Sequence, residues 1–186
     1  MSDVKKRASA IRLLVMDVDG VLTDGGLYYG PDGEVFKRFD VKDGHGLVIL
    51  RHLGIACAIL TARKSKIVET RFTELGCKHI VQGAKDKAKG LAGLLAAANV
   101  TADEVAYIGD DINDLPVITQ VGLSACPADA RPEVLGQVHY VCKAKGGRGA
   151  VRELVEVILH AKGLWDDALE IHARHPDAAA SADSKR

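Results

Sequence analysis

The 186-residue chain carries 25 acidic and 25 basic side chains, and 47% of it is hydrophobic with only 4% aromatic. This balance excludes a global field that would recruit nucleic acid or an anionic membrane, while leaving room for a local basic pocket; the length suits one α/β domain and is too short for two with a linker. No apolar run reaches the roughly 18 residues of a membrane span, and Met1 to Ala10 lacks the apolar core of a signal peptide, so the expectation is a cytoplasmic protein acting on a small molecule.

The first strand-like run, Ile11 to Met16, ends in Asp17-Val18-Asp19-Gly20, two carboxylates two residues apart before a glycine-rich break. A buried strand delivers paired acids to a surface in this way. Leu27 to Gly30 and Glu34 to Phe39 flank the turn signal Pro31-Asp32-Gly33, which predicts a β-hairpin inserted over about residues 26–39. Ile55 to Leu60 reads as the next strand and ends at Thr61. A helical stripe of Ile67, Val68, Arg71, Phe72 and Leu75 comes next, then a short run from His79 to Val81, with Lys87 opening the following helix.

Val105 to Ile108 repeats the opening pattern and runs into Gly109-Asp110-Asp111-Ile112-Asn113-Asp114. Leu123 to Ala125 and Tyr140 to Cys142 complete the strand-like runs, and Val151, Leu154, Val155, Ile158 and Leu159 form the clearest 3.6-residue stripe. Strand then helix, repeated, predicts a doubly wound, Rossmann-like parallel sheet with helices on both faces, as one domain over residues 1–165. From Asp166 the composition turns to Ala, Ser, Asp and His, which predicts a partly disordered tail over 166–186, with Ala178 to Arg186 disordered. Cys57, Cys77, Cys126 and Cys142 form no CxxC pair and read as buried reduced thiols.

In such a sheet, ligands bind beyond the carboxyl ends of the strands, where the chain places Asp17, Asp19, Thr61, Lys87 and Asp110. Each has a plain structural alternative: a chance DxD, a strand-end threonine, a solvated helix lysine, an aspartate N-cap. Their joint order at strand ends points instead to phosphoryl transfer, which needs a cation, positive donors and a positioned attacking group. Magnesium (Mg2+) suits Asp17, the backbone carbonyl of Asp19 and Asp110. Asp17 then serves as nucleophile, and Asp19 first protonates the leaving oxygen and later deprotonates water. Thr61 and Lys87 would hold phosphoryl oxygens, with Asp111 and Asp114 orienting metal-bound water or Lys87.

Asp17-Val18-Asp19-Gly20, Thr61, Lys87 and Gly109 to Asp114 together resemble the four motifs of the haloacid dehalogenase superfamily. The resemblance implies an aspartyl-phosphate phosphatase with Asp17, Asp19, Thr61 and Lys87 catalytic, and with metal held by Asp17, Asp19 and Asp110. Gly20 to Gly25, the hairpin, Lys42-Asp43-Gly44-His45-Gly46 and Gly146 to Glu153 are further similar to one family within it, the phosphatases of 3-deoxy-D-manno-octulosonate 8-phosphate, an eight-carbon sugar acid of lipopolysaccharide synthesis. That resemblance implies no large cap domain and a homotetramer in which hairpins gather and neighbouring subunits cover each active site. Ala62 departs from the glycine usual between the threonine and Arg63, which puts the geometry of the phosphate loop in question more than its chemistry.

Lys42, Arg63 and Arg148 are the candidates for meeting the substrate carboxylate, each with a surface-charge alternative. Tyr28 and Phe36 read as oligomer packing rather than sugar stacking. A nine-carbon sugar-acid phosphatase is the related alternative, for which an acidic residue is expected at the place of Arg63. A receiver-like signalling module is the alternative of another class. It lacks a carboxylate two residues after its phosphorylated aspartate, and it draws its acidic pair from the first strand and its phosphoacceptor from a later one, whereas here Asp17 opens the set and Asp110 closes it.

Overall fold

The computed structural model of the protein describes residues 3–174. In chain order the elements are α1 (Asp3–Ala10), β1 (Leu13–Met16), β2 (Tyr28–Gly30), β3 (Gly33–Phe36), α2 (Val41–His52), β4 (Ala56–Thr61), α3 (Lys66–Glu74), β5 (His79–Gln82), α4 (Lys87–Ala98), β6 (Val105–Ile108), α5 (Leu115–Ile118), β7 (Leu123–Cys126), α6 (Pro132–Leu135), β8 (Tyr140–Val141), α7 (Ala150–Lys162) and α8 (Trp165–Arg174). Six strands form one parallel sheet in the order β5-β4-β1-β6-β7-β8. The strands and the two helical stripes lie where their periodicity predicted.

β1 occupies the interior of the sheet, with Met16 in register with Ile59 on one side and Ile108 on the other. All four of its side chains are fully buried, as expected for a parallel strand covered on both faces. Because side chains alternate along a strand, Leu14 and Met16 enter one core while Leu13 and Val15 enter the other. The first core is closed by the α7 stripe of Val151, Leu154, Val155, Ile158 and Leu159 and by Val68 and Phe72 of α3. Leu91 and Leu94 of α4, with Val117 and Ile118 of α5, close the second.

The hairpin stands apart as a two-stranded sheet in which the Tyr28 and Phe36 rings stack at 4.2 Å, with Tyr29, Val35 and Phe36 exposed. Two of the segments that carry the family resemblance also brace the scaffold. Asp43 of α2 accepts the backbone N–H groups of Gly149 (3.2 Å) and Arg152 (2.8 Å), capping the start of α7. Glu153 accepts from Lys143 N (2.9 Å), Ala144 N (2.9 Å) and the Tyr140 hydroxyl (2.7 Å), fixing the loop before α7.

At the end of the described chain, residues 165–174 form α8. Its apolar positions have no core of their own and use that of α7: Ala168 is buried, Trp165 packs on the first core, and its ring lies 4.8 Å from that of His160. Ala178 to Arg186, expected to be disordered, lies outside the described residues. Among those described, no helix is long and apolar enough to cross a membrane.

Candidate active site

The ends of β1 and β6 converge on one acidic cluster. The Asp17 N–H bonds the Ile108 carbonyl at 3.1 Å, extending the ladder one residue past β1 and aligning Asp17 with the segment that carries Asp110. That segment wraps around Asp114, whose Oδ2 accepts the N–H groups of Asp110 (2.9 Å) and Asp111 (3.1 Å). Two glycines make the approach possible. A Cβ on Gly109 would lie 2.4 Å from Asp114 Cγ, and one on Gly20, already at φ +87°, would lie 2.0 Å from Asp110 Oδ2.

One ammonium serves this cluster. Asp86 caps α4 by accepting the Lys89 N–H, which sets Lys87 in the first turn. From there Lys87 Nζ reaches Asp17 Oδ2 at 2.8 Å and Asp114 Oδ1 at 2.6 Å, and the buried Tyr107 hydroxyl donates to the same Asp114 oxygen. Burial works against the Lys87 charge, yet Asp17 and Asp114 outweigh it and lift the ammonium above the ordinary lysine value. Burial, with the Asp114 charge behind it, pushes the Asp17 carboxyl up to about 6 against the pull of Lys87. Burial and then the charges of Asp17, Asp114 and Asp111 push Asp110 up to about 7.

Three carboxylates around one ammonium leave the cluster short of positive charge. Asp17, Asp110 and Asp114 each offer an oxygen within 4.8 Å of the others, and Asp17 Oδ1 and Asp110 Oδ1 are buried with no hydrogen-bond partner. Buried, partnerless carboxylate oxygens are costly unless a cation meets them. The residues present therefore fit a hard divalent ion.

Beside this lies a second, shallower cluster that the sequence did not reveal. The Asp19 carboxylate meets Lys37 Nζ of the hairpin at 2.5 Å and Arg63 Nε at 3.6 Å. Lys37 also pairs with Glu34 at 2.9 Å, and Glu34 accepts the Ser65 hydroxyl. Arg63 donates to the Tyr29 hydroxyl at 2.7 Å. The hairpin thus touches both the loop after β1 and the loop after β4. Burial opposes the Lys37 charge, but Asp19 and Glu34 prevail and raise its pKa.

Of the sequence candidates, Asp17, Lys87 and Asp110 meet in the deep cluster, and Asp19 and Arg63 in the shallow one. Thr61 closes β4, buried, with its carbonyl accepting the Ala84 N–H at 3.0 Å. Lys42 is exposed in the first turn of α2, and Arg148 is exposed beside Gly146 and Gly147, which press on Gly20 and Thr23; among the described residues neither cation bonds to either cluster. Sequence reasoning missed Lys37, Glu34, Tyr29, Ser65 and Tyr107. Glu34 and Lys37 stand three residues apart at the end of the hairpin, a spacing whose only signal was an acid and a base interrupting an apolar run.

A family model described as haloacid dehalogenase-like hydrolase matches residues 50–154. The 3-deoxy-D-manno-octulosonate 8-phosphate phosphatase of Yersinia pestis is 49% identical over 166 residues, covering 89% of each chain. Among solved structures, the cobalt-bound deoxy-D-mannose-octulosonate 8-phosphate phosphatase of Haemophilus influenzae superposes with a TM-score of 0.83 at 41% identity, over 84% of this chain and 92% of the other. The 3-deoxy-D-manno-octulosonate 8-phosphate phosphatase of Moraxella catarrhalis, in complex with magnesium, phosphate and the KDO molecule, gives 0.89 at 38% identity, over 92% and 98%.

Proposed function

The chain belongs to the haloacid dehalogenase-like hydrolases and is a phosphatase of that family, and on that premise we propose that it hydrolyses 3-deoxy-D-manno-octulosonate 8-phosphate through an aspartyl phosphate on Asp17. The observation that carries the chemistry is the pair of partnerless buried oxygens on Asp17 and Asp110 beside Lys87. The names and the bound sugar acid of the similar proteins support the substrate.

In this reading Lys87 keeps the Asp17 carboxylate ionised and aims it, and Asp17 attacks phosphorus. Asp19 protonates the departing sugar oxygen, then deprotonates the water that cleaves the acyl phosphate. Lys37 and Arg63 hold the Asp19 carboxylate in place between these two tasks, and Thr61 donates its hydroxyl to a phosphoryl oxygen. Magnesium, held by Asp17, Asp110 and the backbone carbonyl of Asp19 with Asp114 behind them, would supply the charge that offsets the phosphoryl oxygens. Arg63, Lys42 and Arg148 are the cations offered to the substrate carboxylate. A basic Arg63 favours the eight-carbon acid over the nine-carbon one, and the Asp17, Asp19 pair favours turnover over a receiver that stores its phosphate.

Exposed Leu27, Tyr29, Val35 and Phe36 on and beside the hairpin support a homotetramer built on that element. Light scattering would give four chains per particle. The domain spans residues 1–165 in this proposal, and the enzyme works in the cytoplasm.

The deciding experiment measures phosphate release with magnesium from the eight-carbon acid phosphate, a nine-carbon analogue and hexose phosphates. The expected outcome is preference for the eight-carbon acid, with Asp17→Asn slower by on the order of 10^4-fold. Equal slow release from all substrates would remove the substrate assignment, and release unchanged in Asp17→Asn would remove the nucleophile.

A further inference from the structure

At the opposite end of β4 from Thr61, two thiols face each other. Cys57 lies near the start of β4 and Cys77 in the turn after α3, one strand over, and their sulfurs are 2.7 Å apart. The neighbouring residues Ala58 and His79 are in register on β4 and β5, so the sheet itself holds the two positions side by side. Both thiols are reduced and buried, Cys57 at 2% exposure and Cys77 at 6%.

Burial does not seal the pair. Cys57 lines a cavity of about 220 Å³ together with Arg51, Gly54, Ile55, Ala56, Gly76, Lys78 and His79. The Arg51 guanidinium is fixed there by donating to the Leu75 carbonyl at 2.7 Å, and Gly76 makes room for it, since a Cβ at that position would lie 1.5 Å from Arg51 Nη1. The wall around Cys57 therefore carries one fixed cation, with Lys78 and His79 beside it. A thiolate is the nucleophile in thiol oxidation, and positive surroundings favour it.

We propose that Cys57 and Cys77 are a dithiol modification site, in which a small peroxide entering this cavity oxidises Cys57 and Cys77 then closes a reversible disulfide. The Cys57 thiolate attacks the peroxide O–O bond, giving the sulfenic acid and, after proton transfer, water. The Cys77 sulfur then attacks the sulfenic sulfur, expelling a second water, so two thiols lose two electrons to one hydrogen peroxide. The order of attack follows from access and the cation: Cys57 lines the cavity beside the Arg51 guanidinium and Cys77 is not among its lining residues. The bond between the two sulfurs and then the Arg51 charge lower the Cys57 pKa against its burial.

The other two cysteines form an internal control. Cys126 ends β7 and Cys142 follows β8 beside it, with the Cys142 N–H on the Cys126 carbonyl at 2.9 Å, but their side chains enter opposite cores, and burial raises the pKa of both. The loop that the disulfide would close contains Thr61, Arg63 and α3.

The test is to expose the native protein to hydrogen peroxide, unfold it in the presence of an alkylating reagent, and measure intact mass and peptides. The expected result is a fall from four alkylated cysteines to two, a peptide joining Cys57 to Cys77, and recovery of all four by a dithiol reductant. Cys77→Ser, oxidised in the same way, should trap a dimedone adduct on Cys57. Four alkylated cysteines after peroxide, oxidation of Cys126 and Cys142 at the same rate, or an adduct absent from Cys57 in Cys77→Ser would each overturn the proposal. If Cys77→Ser does not fold, the mass of the unmutated protein decides alone.

Discussion

The deep cluster around Lys87 and the shallow cluster around Lys37 are the same device, a lysine between two carboxylates, built in two different ways. Lys87, Asp17 and Asp114 have side chains 1%, 8% and 0% exposed, and two of the three come from loops that directly extend sheet strands. Lys37 is equally covered, at 1%, but its partners Asp19 and Glu34 are 20% and 14% exposed and Arg63 is 39% exposed. Strand ends hold a nucleophile where little can move. A hairpin laid across a loop holds a proton carrier within reach of water and of a departing sugar, which that carrier must serve in both protonation states.

If this division is right, the two lysines fail differently when removed. Lys87→Met strands two buried carboxylates and should cost about 3–5 kcal/mol in urea unfolding, together with nearly all phosphate release. An unchanged unfolding midpoint would break the contrast at its strongest point.

The deep cluster should also carry the pH dependence of the metal-free protein. Asp17 and Asp110 hold protons to about pH 6 and about pH 7 in the folded chain against 3.8 ordinarily, so between these limits the folded state binds more protons than the unfolded. Stability without metal should then fall as pH rises from about 4 to 7. Magnesium at 100 times its dissociation constant should restore about 2.7 kcal/mol near neutral pH, and less in acid, as read from thermal unfolding. A pH-independent midpoint in chelator would contradict this.

Lys37→Met leaves its partners within reach of water and still facing Arg63, so unfolding should shift by only about 1 kcal/mol. Turnover should nonetheless drop about 10- to 100-fold with KM nearly constant, because a loosened Asp19 misplaces its proton, and Lys37→Arg should recover part of the rate. An equal loss in turnover and stability would reduce Lys37 to scaffolding. The smallest effect belongs to Arg63→Ala, with stability changed by no more than about 0.5 kcal/mol, KM for the sugar acid raised about 10-fold, and turnover lowered less than in Lys37→Met because Lys37 still holds Asp19.

The same division explains what the sequence could disclose. Asp17, Lys87 and Asp110 were legible because each stands at a fixed offset from an apolar run, and the parallel sheet turns that offset into position. The strands themselves were legible for the same reason of periodicity. Lys37 and Tyr29 were not, since their role depends on the angle at which the hairpin folds over, and no local pattern encodes it. Tyr107 was hidden because it reads as one more apolar strand residue, although its hydroxyl bonds Asp114. The segment from Asp166 was legible only in part: composition gives it no core of its own, but does not register that α8 can share the core of α7.

The interior place of β1 sets a timetable for the growing chain. Its residues leave the ribosome before the strands that cover it, and Asp17 gains its last partners only when the segment ending at Asp114 has followed. At ordinary elongation speed that interval is roughly five to twenty seconds. Until then the cluster lacks Asp110 and Asp114, so the nascent enzyme is chemically silent until its sheet has closed.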